Sequence, residues 1–220
     1  MSDLLTSDPS ASDQSANNSP AIARRRSITV GISGGSGAVY AVRLLGILPK
    51  FYDRVDVVLS NAARQVLAEE TDVAAPASGP WRLPNATDDE AERVVIWQNQ
   101  NYNAPFASGS NCAAQMIILP CSMSTVASIA HGIDQNLMHH AAGVTIKERK
   151  QLLIVPRETP FSAIHLRNLL TLSELGVAVI PAMPGFYGKQ KTFDDLIDFV
   201  LQKILNQLNI DLKLSRKWGE

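Results

Sequence analysis

The sequence predicts an α/β fold with a doubly wound parallel sheet, a flavodoxin-like or Rossmann-like three-layer sandwich. Two observations carry this prediction. Short apolar runs recur without polar alternation, as in strands buried on both faces, and helical segments separate most of them, as in repeated strand-helix-strand units. The predicted strands are Ile28–Ile32, Val55–Leu59, Val94–Trp97, Met116–Leu119, Leu152–Val155 and Val177–Ile180.

The last predicted helix is the clearest one. From Phe193 to Leu208, apolar residues recur at the i, i+3, i+4 and i+7 spacing, Thr192 is placed to cap the helix, and acidic residues stand in the first turn. The helix before it is expected to stop at Gly176, because glycine is common just past helix ends. The predicted helices cover residues 37–48, 61–71, 125–130, 136–150, 162–175 and 193–208.

Composition narrows the possible classes of function. The chain has 220 residues with 20 basic and 21 acidic side chains, a balance that excludes a simple nucleic-acid binder. No run approaches the ~18 apolar residues of a membrane helix. Two cysteines, Cys112 and Cys121, are too few for a disulfide scaffold or a four-thiolate metal site. We therefore expect no metal, no membrane partner and a cytoplasmic location.

One globular domain is expected between two tails. Residues 1–20 hold six serines, three aspartates and no lysine or arginine, so residues 1–26 are predicted to be a disordered N-terminal tail, with the basic triplet Arg24–Arg26 as a solubilising junction. Residues 27–210 form the predicted domain. Residues 211–220 form a C-terminal tail, and its Trp218 is a candidate for packing on a neighbouring subunit.

Small, hydroxyl-bearing and charged residues follow the predicted strands. Parallel strands end at one edge of the sheet, and ligands of such folds bind outside these carboxyl ends. The first strand is followed by Ser33-Gly-Gly-Ser-Gly37 and the fourth by Pro120-Cys-Ser-Met-Ser-Thr125. Both segments lead into helices, so both offer N–H and O–H donors to an anion. Two such turns on one edge favour a phosphorylated ligand.

The spacing of the glycines differs from the motifs of two common nucleotide-binding sites. Residues 31–37 read Gly-x-x-Gly-Gly-x-Gly, which is neither the Gly-x-Gly-x-x-Gly of dinucleotide folds nor a P-loop. Ser60 follows the second strand, where an NAD-binding fold would have an acid to hold the ribose. A nicotinamide-dependent dehydrogenase is therefore disfavoured.

Eight segments carry a family resemblance. They are Gly31-Ile-Ser-Gly-Gly-Ser-Gly-Ala38, Ala107-Ser-Gly-Ser110, Pro120-Cys-Ser122, Asn136-Leu137 with Lys147-Glu-Arg149, Val155-Pro-Arg-Glu-Thr-Pro160, Ile164-His-Leu166 and Pro181-Ala-Met-Pro-Gly-Phe-Tyr187. In this order, from about Ile28 to about Ile210, they resemble the UbiX-type flavin prenyltransferases.

The resemblance implies a flavodoxin-like subunit that joins a dimethylallyl group, from dimethylallyl phosphate or diphosphate, to reduced FMN. The product, prenylated FMN, is used by UbiD-type decarboxylases, and the family needs no metal. Its members form symmetric homo-oligomers, often dodecamers, with the flavin at subunit contacts.

The resemblance also places an FMN site and a proton relay on the predicted edge. Ser36 matches a catalytic serine near the reactive flavin nitrogen, Glu158 matches the acid that relays protons with it, and Glu70 matches a mobile glutamate that helps to pass protons. The residues that match FMN-binding positions are Gly34, Gly35, Ser36, Ser60, Ser122, Met123, Ser124, Thr125 and Arg157.

The subsite for the prenyl donor departs from the family. Lys147, which is also assigned a catalytic part, and Tyr187 are present. His140 and Lys203 stand where two arginines are expected, and Tyr102 stands where a tryptophan is usual. Lysine lacks the forked contacts of arginine, and histidine is only partly charged near neutral pH, so we expect a looser or more pH-dependent phosphate site. These changes concern the identity of the donor more than that of the flavin.

Two other functions stay open. A flavin-dependent cysteine decarboxylase would share the fold and the FMN site, but it needs a histidine between the second and fourth strands and a Pro-x-Met-Asn motif. Here no histidine lies between Thr71 and Cys112, and the loop reads Pro181-Ala-Met-Pro184. A non-catalytic FMN-binding protein that acts through a partner surface is the other alternative, and the altered donor subsite keeps it open.

Overall fold

A computed structural model describes residues 25–187 and 190–215. In this part of the chain, seven strands form one sheet in the order β3-β4-β2-β1-β5-β6-β7. Neighbouring strands run parallel except β3, which pairs antiparallel with β4. The strands are β1 (Ile28–Ile32), β2 (Val55–Leu59), β3 (Gly79–Pro80), β4 (Val94–Gln98), β5 (Gln115–Cys121), β6 (Gln151–Pro156) and β7 (Ala178–Val179).

Helices connect most of these strands. Two short 3-10 turns, Leu48–Lys50 and Pro105–Ala107, lie between them. The α-helices of the described ranges are α1 (Ala38–Leu45), α2 (Asn61–Glu70), α3 (Asp88–Arg93), α4 (Met123–Ala130), α5 (Leu137–Lys147), α6 (Ala163–Glu174) and α7 (Phe193–Gln207).

The sheet carries an apolar cluster on each face. Because side chains alternate along a strand, β5 sends Ile117 and Leu119 to the first face and Met116 and Ile118 to the second. Helices α1, α2 and α7 pack on the first face, and α4, α5 and α6 pack on the second. The predicted three-layer α/β sandwich is confirmed.

All the predicted strands and helices are present, and β1 and β2 have the predicted bounds. The sequence prediction missed β3 and α3. A two-residue strand shows no periodicity, and α3 is a six-residue acidic segment in which only Ala91 is buried. The first predicted helix was too long, because α1 ends at Leu45 and Pro49, in the following 3-10 turn, has no N–H to continue an α-helix.

Arg25 is a structural residue. Its guanidinium donates to the side chains of Tyr52 and Gln115, at 3.3 and 2.8 Å, and to the backbone carbonyls of Leu208 and Asn209. These contacts tie the start of the described chain to the end of α7. The expectation that the basic triplet is a solubilising junction is therefore wrong for this residue.

The predicted tails are mostly beyond the described residues. Residues 1–24 and 216–220, with Trp218, lie outside them, so the two-tail organisation stays a prediction. The start of the C-terminal segment packs on its own chain: Leu212 and Leu214 contact the core, and the Leu214 N–H donates to Gln202 Oε1 at 2.7 Å. None of the described helices combines the length and apolar character needed to cross a bilayer.

Candidate active site

The candidate site lies beside β1, where the helices that follow neighbouring strands pack on opposite faces of the sheet. β1 is flanked by β2 and β5. Helix α1, which follows β1, packs on the first face, and helix α4, which follows β5, packs on the second. A crevice forms at such a switch point, outside the carboxyl ends of the strands. We call the carboxyl ends of β1, β2, β5 and β6, with the residues that follow them, the flavin edge.

A buried hydroxyl locks two turns of the flavin edge together. Ser33 follows β1 and is 2% exposed. Its Oγ donates to the Pro120 carbonyl at 3.0 Å and accepts from the Ser122 N–H at 2.6 Å, while its own N–H donates to the same carbonyl at 3.1 Å. Sequence reasoning missed this role. A hydroxyl residue at the end of a buried strand, directly before a glycine turn, was the available signal.

Two glycines shape the turn after β1. A Cβ at Gly34 would lie 2.5 Å from the Ala62 Cβ of α2, closer than two carbon atoms can approach, so the turn packs directly against that helix. Gly37 has φ = 110°, a left-handed conformation that side chains disfavour. The glycine turn predicted from the sequence therefore has both a steric and a conformational reason.

The predicted hydroxyl groups sit at the beginnings of α2 and α4. Ser60 Oγ accepts from the Ala63 N–H at 3.0 Å. Ser122 Oγ accepts from the Thr125 N–H at 3.4 Å and lies 3.0 Å from Ser124 Oγ. These side chains are helix caps, which explains their residue types. The caps leave the first amides of each helix for a ligand.

Met123 and Thr125 take part in the site through their backbone more than their side chains. Met123 packs in the apolar cluster on the second face, and Thr125 is buried. The Ser122 hydroxyl also donates to Thr125 Oγ1 at 3.1 Å. A ligand at the flavin edge would thus meet the Met123 amide, while the thioether stays in the core.

The predicted acid and base groups come from three separate elements. Glu70, the last residue of α2, accepts from the N–H groups of Gly37 and Ala38 at 2.8 and 2.7 Å, so its carboxylate lies at the start of α1, beside Ser36. Arg157, after β6, donates from Nε to the Ser36 carbonyl at 3.3 Å. Glu158 is half-buried, and its Oε1 accepts from the N–H of the residue that follows it.

These groups fit the phosphate of FMN. The first amides of a helix lack intrahelical carbonyl partners, and the helix dipole adds partial positive charge at that end. Helices α2 and α4 both begin at the flavin edge, with hydroxyls at their caps. The exposed Arg157 adds a full positive charge. Many neutral donors with one cation suit a dianion that must bind in a defined orientation.

Three of the residues predicted to bind the prenyl donor lie on the second face of the sheet. His140 and Lys147 line a groove of about 210 Å³ between α5 and the end of α4, which we call the donor groove. The Tyr102 ring stands edge-on to His140, with ring centroids 5.5 Å apart. The structure therefore places His140 and Lys147 on one groove and Tyr102 beside His140, and the binding of a prenyl donor there stays a prediction.

Lys147 is held by a neighbour that sequence reasoning missed. Its Nζ lies 2.6 Å from Glu148 Oε1, and this contact holds the pKa of Glu148 below its usual range. A Cβ at Gly109 would lie 2.3 Å from the same carboxylate oxygen and 3.0 Å from Nζ. The ion pair therefore lies against the Gly109 backbone, and a side chain at this position would require the ends of Lys147 and Glu148 to shift.

The other two predicted donor residues lie on the first face. Tyr187 packs edge-on against Phe199 of α7, with ring centroids 5.4 Å apart, and Lys203 Nζ lies 5.4 Å from the centre of the same ring. Because α5 and α7 cover opposite faces of the sheet, one chain does not bring Lys147 and Lys203 together.

The cysteine of the edge and the remaining histidines have structural roles. Cys121 is fully buried, and burial raises the pKa of its thiol, so a reactive thiolate is not formed near neutral pH. His131 contacts Asn168 at 3.1 Å, and the His165 ring accepts from the Ser162 N–H at the start of α6.

Comparison with known proteins agrees with this geometry. Residues 16–205 match the model of the family described as Flavoprotein. The flavin prenyltransferase UbiX of Halalkalibacterium halodurans is 47% identical over 196 residues, which cover 87% of this chain and 93% of that protein. The chain is similar to this enzyme over nearly its whole described length.

Two solved structures have a similar fold. A dodecameric FMN-dependent UbiX-like decarboxylase from Escherichia coli O157:H7 gives a TM-score of 0.78 at 34% identity, covering 88% of this chain and 100% of its own. AnUbiX (PadA1), in complex with FMN and dimethylallyl pyrophosphate, gives 0.78 at 33% identity, covering 90% and 99%. The fold, the edge and these matches define a flavoprotein. Within that class, the chain belongs to the UbiX-type flavin prenyltransferase family.

Proposed function

We propose that this protein transfers a dimethylallyl group from dimethylallyl phosphate or diphosphate to reduced FMN. The product would be prenylated FMN, for use by a UbiD-type decarboxylase. One observation carries the proposal: the N-termini of α2 and α4, both with hydroxyl caps, face the switch point of the sheet, and buried Ser33 ties the turn after β1 to the start of α4. The names of the relatives favour this reaction over cysteine decarboxylation.

The flavin edge binds and orients FMN in this proposal. The amides and hydroxyls at the starts of α2 and α4 hold the phosphate, with Arg157 adding charge. The turn Gly34-Gly35-Ser36 lies against the flavin, and the close packing of Gly34 on α2 fixes the position of this turn. When bound in reduced form, the flavin supplies the ring nitrogen and the neighbouring aromatic carbon to which the five-carbon unit becomes attached.

The side chains near Ser36 move protons. Ring closure releases a proton, and departure of the donor's phosphate creates a base, so a relay between them is useful. Ser36 carries a hydroxyl that can both donate and accept. Glu70 accepts hydrogen bonds from the amides of Gly37 and Ala38, next to Ser36. Glu158 is the second acid of the relay.

The donor subsite is assembled from two copies of the chain. Lys147 lies on the opposite face of the sheet from Lys203 and Tyr187, so a single copy cannot surround one phosphate with all three. Large apolar side chains are exposed on both sides, among them Leu166 and Leu170 of α6 and Phe186 and Phe193 before and in α7. The UbiX-like protein of E. coli is dodecameric. We propose the same homo-oligomeric assembly here.

The protein is proposed to act in the cytoplasm. Both cysteines are free thiols, Cys112 half-buried and Cys121 buried. Free thiols persist in a reducing compartment. The UbiD-type partner would be found there as the user of the product.

The test is a product assay with the native assembly. The protein is incubated anaerobically with reduced FMN and with dimethylallyl phosphate or, separately, dimethylallyl diphosphate. Mass spectrometry should detect FMN that has gained one C5 unit with at least one donor. If FMN binds but neither donor yields this mass, the non-catalytic FMN-binding alternative holds and the proposed function is wrong.

Glu158→Gln separates chemistry from binding. The amide keeps the size of the side chain but cannot take up a proton, so transfer should slow by ~10-fold or more while FMN affinity stays within about twofold. Glu174→Gln, an exposed change at the end of α6, serves as the control. Unchanged turnover in Glu158→Gln would remove Glu158 from the relay.

A further inference from the structure

His140 has protein partners at both of its ring nitrogens. Nδ1 lies 2.5 Å from Asp134 Oδ2, and Nε2 lies 3.0 Å from the carbonyl oxygen of Ala107. A carbonyl and an ionised carboxylate can only accept hydrogen bonds, and a neutral imidazole has only one N–H. The two bonds together therefore require one proton more than a neutral ring and a carboxylate possess.

These bonds join three separate segments of the chain. Asp134 lies in the loop between α4 and α5, His140 lies in α5, and Ala107 ends the 3-10 turn Pro105–Ala107. The Tyr102 ring, just before this turn, stands edge-on to the His140 ring at 5.5 Å. The His140 ring thus joins the 102–107 segment to α5, beside the donor groove that His140 lines.

We propose that His140 is a positioning residue that, as an imidazolium, holds the Tyr102–Ala107 segment in place and thereby fixes the aromatic wall of the prenyl-donor pocket. This inference rests on the proposed function. An arginine at this position has donors to spare for a phosphate, whereas both nitrogens of His140 are used by the protein. Loss of the proton removes one of the two bonds and frees the wall. Donor binding then weakens, and FMN binding at the flavin edge does not change.

The titratable groups near His140 do not account for the proposed pH dependence of donor binding. Burial lowers the pKa of His139, so that ring is neutral near pH 7. Lys147, two turns further along α5, is paired with Glu148. Neither α4 nor the 3-10 turn Pro105–Ala107 carries an ionisable side chain. Among the described residues of these elements, Asp134 is the carboxylate within hydrogen-bond distance of His140.

Nitrogen NMR tests the protonation state without any enzymatic activity. The native assembly is labelled with 15N-histidine and measured in the solid state at pH 6.5, and the His140 signals are assigned by their loss in His140→Gln. Two protonated ring nitrogens are expected for His140 in the wild type, and one in Asp134→Asn at pH 8. A single protonated nitrogen in the wild type at pH 6.5 would overturn the proposal.

Kinetics test the positioning role. The KM for dimethylallyl phosphate is measured from pH 6 to 8.5 in the wild type and in His140→Arg, whose cation does not titrate. The donor itself titrates in this range, but equally for both proteins. The wild-type KM should rise ~10-fold relative to that of His140→Arg, with FMN affinity constant in both, as expected for loss of one charge-assisted hydrogen bond.

The outcomes distinguish the positioning role of His140 from the proposed function of the protein. Parallel pH profiles in the two proteins would overturn the positioning role, even with active enzyme. Absence of transfer at every pH in both proteins would overturn the proposed function, and with it the donor-binding part of this inference. The NMR result would still establish the state of the His140–Asp134 pair.

Discussion

The flavin edge and the donor subsite are built in different ways. The flavin edge consists of backbone turns at the ends of buried strands, locked by Ser33 and by the close approach of Gly34 to α2. The proposed donor subsite consists of side chains from helices and loops on opposite faces of the sheet, and several of them, including Lys147 and Lys203, are exposed.

This difference agrees with the positions at which the sequence prediction expects a departure from the family. The residues predicted to bind FMN are all expected to keep the family's types, whereas Tyr102, His140 and Lys203 stand where the resemblance implies a tryptophan and two arginines. A backbone turn packed at van der Waals distance has no space for a larger side chain. A surface cation can be replaced by another cation at a small cost in stability. Variation is thus expected first where side chains alone make the contact.

The largest expected effect is at Gly34. Gly34→Ala places a Cβ against Ala62 with no room to move, so it should lower the free energy of unfolding by about 1–3 kcal/mol and weaken FMN binding by ~10-fold or more. Gly143→Ala is the matched control, because a Cβ there meets nothing within 4 Å in helix α5. It should stabilise the protein by about 0.5–1 kcal/mol. Calorimetry and FMN titration measure both effects, and equal behaviour of the two variants would break the comparison.

Ser33→Ala should give the next largest effect. It removes a buried hydroxyl that serves one donor and one acceptor, which costs about 1–3 kcal/mol of stability. FMN affinity should fall several-fold, because the Ser122 turn loses its link to β1. Ser110→Ala, at an exposed serine, is the control. Normal FMN affinity in Ser33→Ala would show that the turn is held without this hydroxyl.

Lys203→Ala tests whether the donor subsite can be changed without affecting the flavin edge. Removing a cation from the proposed phosphate subsite should raise the KM for the prenyl donor ~3- to 10-fold, while FMN affinity is unchanged. Lys50→Ala, an exposed lysine in the first 3-10 turn, should change neither quantity. A fall in FMN affinity in Lys203→Ala would mean that the two subsites are not independent.

The smallest effect concerns the start of α7. N–H groups of Lys191 and Thr192 hold the pKa of Asp195 below its usual range. A depressed folded-state pKa stabilises the protein above the unfolded-state value of about 3.9, and this contribution is lost as the pH falls through the folded-state value. The Tm difference between wild type and Asp195→Asn should therefore be positive at pH 6 and shrink below about pH 4. A constant difference would contradict the capping role.

The sequence predicted the layers of the fold and the composition of the flavin edge. Buried parallel strands read as apolar runs, and their ends are marked by glycine and serine. It could not predict the role of Ser33, because a hydrogen bond across 89 positions depends on strand register. It also could not place Lys147 and Lys203 on opposite faces, because helix order along a chain does not fix which face a helix covers. The pairing of His140 with Asp134 depends likewise on a loop conformation.

The central claim is that the flavin edge holds the phosphate of FMN. Isothermal titration of the native assembly with FMN and with riboflavin, which lacks the phosphate, tests it directly. We expect one FMN per chain and a riboflavin affinity weaker by ~100-fold or more, since several charge-assisted hydrogen bonds are lost. Equal affinity for the two ligands, or no binding of FMN, would contradict the account.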